Sequence, residues 1–418
     1  MSSQYGISIE MNTDSVGYPI YRMNEIHNML CDLNVDKYAD ISHEEYTNFA
    51  LNSGDVLFNR TNSFEWVGRT GIYYKTDDDD KRVFASYLVR FNPTEETILP
   101  EYLCAYLNCK YGVWDIKRRA RQSINQTNVN PEEVKEIEIP LLGKDIQSKI
   151  KDCFVSANDL RLKAKAAYDD ASNYLNLILG LDHLILAEQS TTQKKFTEIK
   201  ASWRFDAEYY QPKYDELFER LKPYQTKRLS EIVSITKSIE PGSEAYEGEG
   251  IPFIRVANLT KFGITDTDIY LSPEKYKDVI RPKKDTILLS KDGSVGIAYK
   301  VDSDMDIITS GAILHLSLTD QEIMPDYLTL VLNSIVVKMQ AERDAGGSII
   351  QHWKPSEIEN VIIPILEPEA QQEITNKIRD SFMLRGESER LLNIAKAAVE
   401  IAIEQGEDKA MDLLNQYM

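Results

Sequence analysis

The chain has 418 residues, which is more than one ordinary hydrophobic core holds and predicts two or three domains. Hydrophobic residues make up 42% of the sequence and charged residues 28%, a balance that excludes a largely disordered chain. The formal net charge of −19 opposes tight nucleic-acid binding by the isolated chain, although it leaves room for a locally basic face.

Strands are predicted where short apolar runs follow turn residues, in chain order at 56–58, 72–74, 88–91, 286–289 and 312–316. Helices are predicted after prolines, at 102–107 and 327–332. The four aspartates at 77–80 predict a solvated hairpin turn. Each half of the chain is therefore expected to be mixed α+β.

The most informative feature is an internal repeat of four segments that recur in the same order. These pairs are 17–22 with 250–255, 54–60 with 284–290, 100–103 with 325–328, and 130–142 with 354–366. The shift drifts slowly, from 233 residues between Arg22 and Arg255 to 224 residues between Asn130 and Lys354. A period above two hundred residues predicts duplicated domains and excludes a solenoid of short repeats.

A long helix is predicted after each copy. Apolar residues recur from Ile146 to Ile185 with spacings that alternate between four and three, which is the heptad pattern of a helix packed lengthwise on another. The predicted seam residues are Ile150, Ala157, Leu160, Ala164, Ala167 and Ala171 in the first helix and Ile378, Phe382 and Ala395 in the second. We expect an antiparallel pair that holds the two domains apart; the alternative is that each helix packs only on its own domain.

Four cysteines without a C-x-x-C pair do not form a disulfide framework, and they predict a reducing compartment. No apolar run approaches the roughly 20 residues needed to cross a bilayer, and no signal-peptide pattern is present. We therefore expect a cytoplasmic protein.

The repeated motifs resemble those of the specificity subunits of type I restriction–modification systems. The resemblance rests on segments 17–23, 54–61 and 124–130, on Val67-Gly68, and on looser copies such as 289–296. It covers nearly the whole chain, and the order of the motifs is more specific than any one of them.

The resemblance implies an α+β fold with two similar mixed α/β target-recognition domains, separated and joined by two long, antiparallel coiled-coil helices. The expected domains are 1–143, shortened at its N-terminal side, and 191–366, with a central spacer helix at 144–190 and a C-terminal one at 367–418. Each domain would read half of a split double-stranded DNA site. The helices would dock two methyltransferase subunits, and motor–nuclease subunits would join for cleavage. Any S-adenosylmethionine, ATP or magnesium would belong to those partners, and this chain would have no cofactor, metal or catalytic residue.

Candidate DNA-binding residues are the basic and carboxamide side chains of two regions in each copy. Copy one offers Lys117, Arg118, Arg119, Arg121 and Gln126 after a predicted helix, and Arg60, Asn62 and Arg69 after a strand; copy two offers Lys291, Ser294 and Lys354. Guanidinium and ammonium groups suit phosphates and guanine edges, whereas carboxamides suit adenine edges. The alternative for each is a solvated surface, and Trp353 is expected to lie in the core.

The sequence contains no G-x-x-x-x-G-K-[ST] phosphate loop, no H-E-x-x-H motif and no complete dinucleotide fingerprint, so an independent enzyme is the weaker class. Two other functions stay open. One is a protein–protein adaptor whose duplicated domains sit on a helical scaffold, and the other is an acidic inhibitor that mimics DNA.

Overall fold

The structure is a computed structural model that describes residues 2–77, 80–94, 96–124, 126–182, 184, 191–345 and 352–417. The chain divides into two compact units. Unit 1 consists of Met1–Lys163 and Met383–Met418, and unit 2 is Ala164–Phe382. The divisions fall inside two long helices, so each unit contains part of both.

The strands of unit 1 are β1 (Ser2–Tyr5), β2 (Tyr18–Tyr21), β3 (Ile26–His27), β4 (Leu30–Cys31), β5 (Tyr38–Ala39), β6 (Val56–Asn59), β7 (Thr61–Asn62), β8 (Thr70–Ile72), β9 (Val83–Phe84), β10 (Leu88–Asn92), β11 (Arg121–Gln122) and β12 (Thr127–Asn128). Its helices are α1 (His43–Phe49), α2 (Pro100–Asn108), α3 (Lys110–Arg119), α4 (Pro131–Val134) and the start of α5 (Lys144–Ile178).

Unit 2 contains the end of α5, α6 (Phe196–Ser202), α7 (Pro212–Leu221), β13 (Gln225–Arg228), α8 (Leu229–Ile232), β14 (Val233–Lys237), β15 (Ile251–Ile254), β16 (Leu259–Thr260), β17 (Gly263–Ile264), β18 (Tyr270–Leu271), β19 (Ile287–Ser290), β20 (Ala298–Lys300), β21 (Ile308–Thr309), β22 (Ile313–Leu318), α9 (Pro325–Asn333), α10 (Ile335–Asp344), α11 (Pro355–Ile358), β23 (Ile362–Ile365) and the start of α12 (Pro368–Gln405). The rest of α12 and α13 (Glu407–Tyr417) belong to unit 1.

The internal repeat is confirmed by the topology of the two units. The main sheet of unit 1 has the order β1-β10-β6-β8-β4-β3, and that of unit 2 has the order β14-β22-β19-β20. Strands β6 and β19, which come from the repeated segments 54–60 and 284–290, occupy the same position in the two sheets, and β10 and β22 share the position beside them. In a smaller sheet, β2 pairs antiparallel with β5 and parallel with β9, and β15 repeats this with β18 and β21.

Matched hydrogen bonds tie the first helix of each copy to the segment before the long helix. The Tyr102 hydroxyl donates to the carbonyl of Pro140 in unit 1, and the Tyr327 hydroxyl donates to that of Pro364 at 2.7 Å in unit 2. These tyrosines and prolines come from the repeated segments. Their sequence similarity therefore reflects a shared set of buried polar contacts as well as shared strands.

The core of unit 1 lies between its main sheet and the helices α2, α5 and α12. Phe58 of β6 and Tyr102 of α2 are fully buried there with Phe154 of α5 and Leu392 of α12. Gly54, at φ +94°, makes the turn that leads into β6, because this left-handed conformation is costly for residues with a β-carbon. The predicted start of this strand is therefore explained by its turn residue.

The predicted antiparallel pairing of the long helices is present within unit 1. The Ser388 hydroxyl of α12 donates to the carbonyl of Ala157 at 2.7 Å, and the amide of Gly143, just before α5, bonds the Glu407 carboxylate at 3.1 Å. The earlier residue of the first segment, Gly143, thus contacts the later residue of the second, Glu407, as expected for an antiparallel pair. Within unit 2 the Ser381 hydroxyl makes the corresponding bond to Ala164 at 2.6 Å. The predicted α+β fold class is confirmed.

Most of the predicted seam is buried. Ile150, Ala157, Ala164, Ala171, Ile378 and Ala395 are buried, whereas Leu160, Ala167 and Phe382 are half-buried. The predicted end of the first seam, Ile185, lies outside the described residues. Helix α5 ends at Ile178, two residues before Gly180, which has φ +62°. Gly406, at φ +94°, likewise separates α12 from α13, so the predicted helix at 367–418 is two helices.

Two local predictions need correction. The strand expected at 72–74 is β8, which ends at Ile72. The turn expected at 77–80 is only partly described, but its last residue, Asp80, is not solvated: its carboxylate accepts a hydrogen bond from Tyr73 at 3.0 Å and pairs with Arg82 at 2.5 Å. These partners lower the pKa of Asp80 although its partial burial opposes them.

Unit 2 has a lead-in before its copy of the repeat, in which α7 packs into the core and β13 pairs with β23. Unit 1 instead receives α13, whose Ala410 and Leu414 are buried in the same core as α2 and α5.

Among the described residues, no helix combines the length and apolarity needed to cross a bilayer. Those residues also hold no cluster of acidic, histidine or cysteine side chains suited to a metal ion.

Candidate nucleic-acid interface

The candidate residues of unit 1 meet on a small three-stranded sheet. Strand β7, which contains Asn62, pairs with β12, and β12 pairs with β11, which begins at Arg121. The Thr61 hydroxyl donates to the Asn128 side-chain oxygen at 2.6 Å and fixes the central pair. Two regions that lie about 60 residues apart in the sequence are thereby brought together. Gln126 lies in the hairpin between β11 and β12, where its carbonyl accepts a hydrogen bond from the amide of Ser123 at 2.8 Å.

Two arginines next to this sheet are open to solvent. The side chain of Arg118 is 70% exposed and that of Arg121 is 73% exposed. Each has one carboxylate partner, Asp115 for Arg118 and Glu133 for Arg121. Exposed ion pairs of this kind contribute little free energy. Both guanidiniums can therefore exchange these partners for phosphate oxygens or base edges at small cost.

Two other basic residues of the predicted patch point inward. The Lys117 amine donates to the carbonyls of Glu65 at 3.1 Å and Val67 at 2.9 Å, and also to that of Phe64. Burial lowers the pKa of this amine to about 8. The Arg119 side chain is only 16% exposed and donates from Nε to the carbonyl of Glu133 at 3.0 Å. The helix α3 thus divides its basic residues between an outer and an inner face.

Two arginines near this sheet, Arg60 between β6 and β7 and Arg69 between β7 and β8, contact aromatic rings. Arg60 is half-buried with its guanidinium 5.2 Å from the centre of the Tyr5 ring, and Nη1 reaches the carbonyl of Ser86 at 3.5 Å. Arg69 lies over the Trp66 ring at 3.2 Å. Cation–π contacts restrict the guanidiniums to few orientations. These two arginines are preorganised parts of the loop surface.

The corresponding region of unit 2 is less basic. The Lys291 amine pairs with Asp292, whose other oxygen bonds the His352 ring at 2.8 Å. Lys354 is exposed and pairs with Glu357 at 3.5 Å. Ser294 is exposed, and its carbonyl accepts a hydrogen bond from Ser290 at 2.5 Å.

Trp353 follows this cluster directly and is buried, as predicted. The first unit thus offers two open guanidiniums where the second offers one open amine, so the two candidate surfaces differ in accessible positive charge.

Sequence reasoning missed Ile124, which lies in the hairpin between β11 and β12 and is 98% exposed. A large apolar side chain this open is uncommon in a run that is otherwise polar and basic. Apolar contacts to thymine methyl groups are one way in which proteins read the major groove. The signal was available in the sequence, because Ile124 is the one apolar residue between Arg121 and Thr127.

Comparison with known proteins agrees with the repeated motifs. Residues 222–383 match the family model described as the type I restriction modification DNA specificity domain. The chain is 25% identical over 437 aligned residues to the putative type I restriction enzyme MjaX specificity subunit of Methanocaldococcus jannaschii, covering 98% of this chain and 89% of that protein. It is 24% identical to the EcoKI specificity subunit of Escherichia coli over 180 residues, which cover 42% of this chain and 38% of that protein.

Similar solved structures include the type I restriction–modification system S subunit from M. genitalium. That chain has 14% identity and a TM-score of 0.39, with coverage of 99% of this chain and 93% of the other. The HsdS subunit from Thermoanaerobacter tengcongensis also has 14% identity, with a TM-score of 0.30 and coverage of 96% and 95%. The family resemblance predicted from the motifs is confirmed by the sequence matches: residues 222–383 match the model of the type I restriction modification DNA specificity domain, and the chain resembles the specificity subunits of type I restriction–modification systems over nearly its whole length.

Proposed function

We propose that this chain is the non-catalytic DNA-recognition subunit of a type I restriction–modification complex, and that each unit reads one half of a bipartite site. The observation that carries the proposal is the repetition of one sheet order in both units. The family match lies at 222–383, within unit 2 apart from its last residue. Four neighbouring strands of unit 1, β1-β10-β6-β8, correspond in order to the sheet of unit 2, so the same task is inferred for unit 1.

The DNA-contacting residues that we propose are the open ones. In unit 1 these are the exposed Arg118, Arg121 and Gln126, and we add the half-buried Asn62 on the neighbouring strand β7. The arginines suit phosphates or guanine, and the carboxamides suit adenine edges. In unit 2, Ser294 and Lys354 are placed comparably. The more enclosed candidates, Arg60, Arg69, Arg119 and Lys291, would shape the surface and add positive potential.

The long helices are the proposed dock for two methyltransferase subunits. Three large apolar side chains on these helices are exposed: Val155 and Leu177 on α5 and Met383 on α12. Exposed apolar residues on a helix that already buries its other face are typical of a second interface. A partner would also offset the net charge of −19, which opposes DNA binding by this chain alone. S-adenosylmethionine would then be bound by the methyltransferases, and ATP and magnesium by motor–nuclease subunits.

Methylation mapping tests the proposal. The chain is co-expressed with the methyltransferase encoded beside it in a host without DNA methylation, and the genome is sequenced for modified adenines. We expect a split motif that disappears when this chain is omitted. A soluble complex that modifies no motif would refute the proposal and favour an adaptor function.

The assignment of one half-site to each unit is tested by a single substitution. Arg121→Ala in unit 1 should relax or abolish one half of the motif and leave the other half unchanged. Lys283→Ala is the matched control, because Lys283 is similarly exposed and paired with a carboxylate, Asp304, but precedes β19, whereas the candidate Ser294 follows that strand. A change in both halves with Arg121→Ala would contradict the assignment.

A further inference from the structure

The Lys117 ammonium is fully occupied by main-chain oxygens. An ammonium group has three N–H donors. The structure gives it three carbonyl acceptors: Glu65 at 3.1 Å, Val67 at 2.9 Å and Phe64. The Phe64 ring also lies 5.0 Å from the nitrogen. A lysine in this arrangement has no donor left for a DNA phosphate.

The three carbonyls belong to the loop between β7 and β8, at 63–69. Its internal hydrogen bonds are few and local, such as the amide of Val67 to the carbonyl of Ser63 at 2.9 Å. Val67 is buried, and an unsatisfied buried carbonyl is costly, whereas Phe64 and Glu65 lie at the exposed end of the loop. Lys117 is the shared partner of all three carbonyls. One side chain from α3 therefore stabilises the loop, in addition to the backbone hydrogen bonds that join Gly68 and Arg69 to Asn59 at 2.8 Å.

A second contact docks the same loop on the same helix. Gly68 has φ +91°, and a β-carbon there would lie 2.5 Å from the Ile116 side chain. The loop thus approaches α3 closely at Gly68 while Lys117 binds it from the next residue along the helix. Asn62 directly precedes the loop, and Arg69 is its last residue and stacks on its Trp66. Movement of the loop would displace Asn62, a proposed DNA contact, and Arg69, which shapes the same surface.

We propose that Lys117 is a positioning residue, which holds the 63–69 loop in the conformation that reads DNA and does not itself touch the DNA. The inference rests on the proposed DNA-reading function, and it changes the role that the sequence predicted for this lysine. Its consequence is specific: loss of the ammonium should lower discrimination between DNA sequences and leave general attraction to phosphates nearly intact.

The protonation of Lys117 gives the arrangement a pH dependence. Burial lowers the pKa of the amine to about 8, with Glu65 acting to raise it and Arg69 to lower it. The neutral amine has two N–H donors and a lone pair, so one of the three carbonyls loses its partner. The loop should therefore loosen as the pH rises through about 8 and stay ordered below it.

The first measurement is amide hydrogen exchange on the free chain at pH 7. Lys117→Met should speed exchange in 63–69 at least tenfold while the amides of β10, which report folding of unit 1, stay protected. Arg118→Met is the matched control, since it removes the adjacent, exposed cation, and it should leave loop exchange unchanged. Unchanged exchange with Lys117→Met, in a folded unit 1, would overturn the inference.

The wild-type chain provides a test that needs no variant. After correction for the intrinsic pH dependence of exchange, protection of 63–69 should fall between pH 7 and pH 9.5, whereas protection of β10 should not. Equal protection at both pH values would overturn the role of the ammonium.

The second measurement uses the complex with its methyltransferase, a duplex carrying the mapped motif, and a scrambled duplex of equal length. Lys117→Met should reduce the affinity ratio of the two duplexes about tenfold and leave the slope of log affinity against log salt unchanged. Arg118→Met should reduce that slope by about one, as expected for a lost phosphate contact.

Lys117→Arg separates the two roles, because arginine keeps the charge but its planar fork does not match three converging carbonyls. Rescue of binding by Lys117→Arg would identify a direct phosphate contact and overturn the inference. A wild-type complex without any preferred duplex would instead refute the proposed function, and loop exchange would still report on the positioning role.

Discussion

Acidification should destabilise unit 2 through a single buried histidine. His315 lies in β22 with 1% of its surface exposed, and its Nε2 is 2.8 Å from the Thr309 hydroxyl. Its Nδ1 has no hydrogen-bond partner among the described residues. Burial lowers the pKa of His315 from 6.5 to about 4. The native unit therefore disfavours the charged ring, and protons bind more readily to the unfolded chain.

The sign and size follow from proton linkage. Above pH 6.5 the histidine is neutral in both the folded and the unfolded state and does not lower the free energy of unfolding. That free energy falls as the pH drops from 6.5 towards 4. A difference of about 2.5 pKa units corresponds to about 3 kcal/mol in full, of which about 2 kcal/mol is lost by pH 5. This is a large part of the stability of an ordinary domain.

Hydrogen exchange at pH 7 and pH 5, corrected for intrinsic rates, measures the loss within each unit. The amides of β22 report unit 2, and those of β10 report unit 1, where Arg90 occupies the place of His315. His315→Gln preserves a polar group for Thr309 without a titrating ring, and should remove about 2 kcal/mol of the pH dependence. His27→Gln is the control, because His27 is exposed. Equal pH dependence in wild type and His315→Gln would refute the reasoning.

Three further predictions concern stability. Gly386→Ala, inside α12 with no neighbouring atom within 4 Å of the new β-carbon, should raise the free energy of unfolding by about 0.5–1 kcal/mol, and a lower Tm would contradict this. Gly112→Ala should instead cost about 1–3 kcal/mol in urea unfolding, because the added methyl group collides with the carbonyl of Tyr106; an unchanged midpoint would show that the helix contact relaxes freely. Ser388→Ala and Ser381→Ala should each cost about 1 kcal/mol, detected as faster exchange in unit 1 and unit 2 respectively, and a loss in the wrong unit would be inconsistent with these contacts.

The sequence predicts the fold well where a pattern repeats. Duplication identified β6 with β19 and α2 with α9, since both copies preserve the turn, the apolar run and the proline. The seam of α5 was predicted because its spacing is regular over many turns. In α12 a polar residue serves the helix contact, because the Ser388 hydroxyl bonds the Ala157 carbonyl, and a pattern of apolar residues does not identify such a position.

The candidate site was predicted only in outline. Strands β7, β11 and β12 have two residues each, which is too short for any periodic pattern, so their pairing depends on tertiary structure. The sequence identified the basic run of α3 but not its division between faces. Lys117 and Arg118 are adjacent and chemically similar, yet one is enclosed by loop carbonyls and the other is open to solvent.

The division of the chain into units has a consequence for its synthesis. Unit 2 is one continuous segment, Ala164–Phe382, whereas unit 1 also needs Met383–Met418, which includes α13 and its buried Leu414. Domains generally fold as units during synthesis, and the N-terminal one usually completes first. In this chain the order is reversed, because all of unit 2 is synthesised before residues 383–418 of unit 1. Unit 2 can therefore fold before unit 1 is complete. During that interval the apolar residues of α2 and α5 that pack against α12 and α13 are exposed to solvent and to chaperones. We therefore expect misfolding to begin in the incomplete first unit.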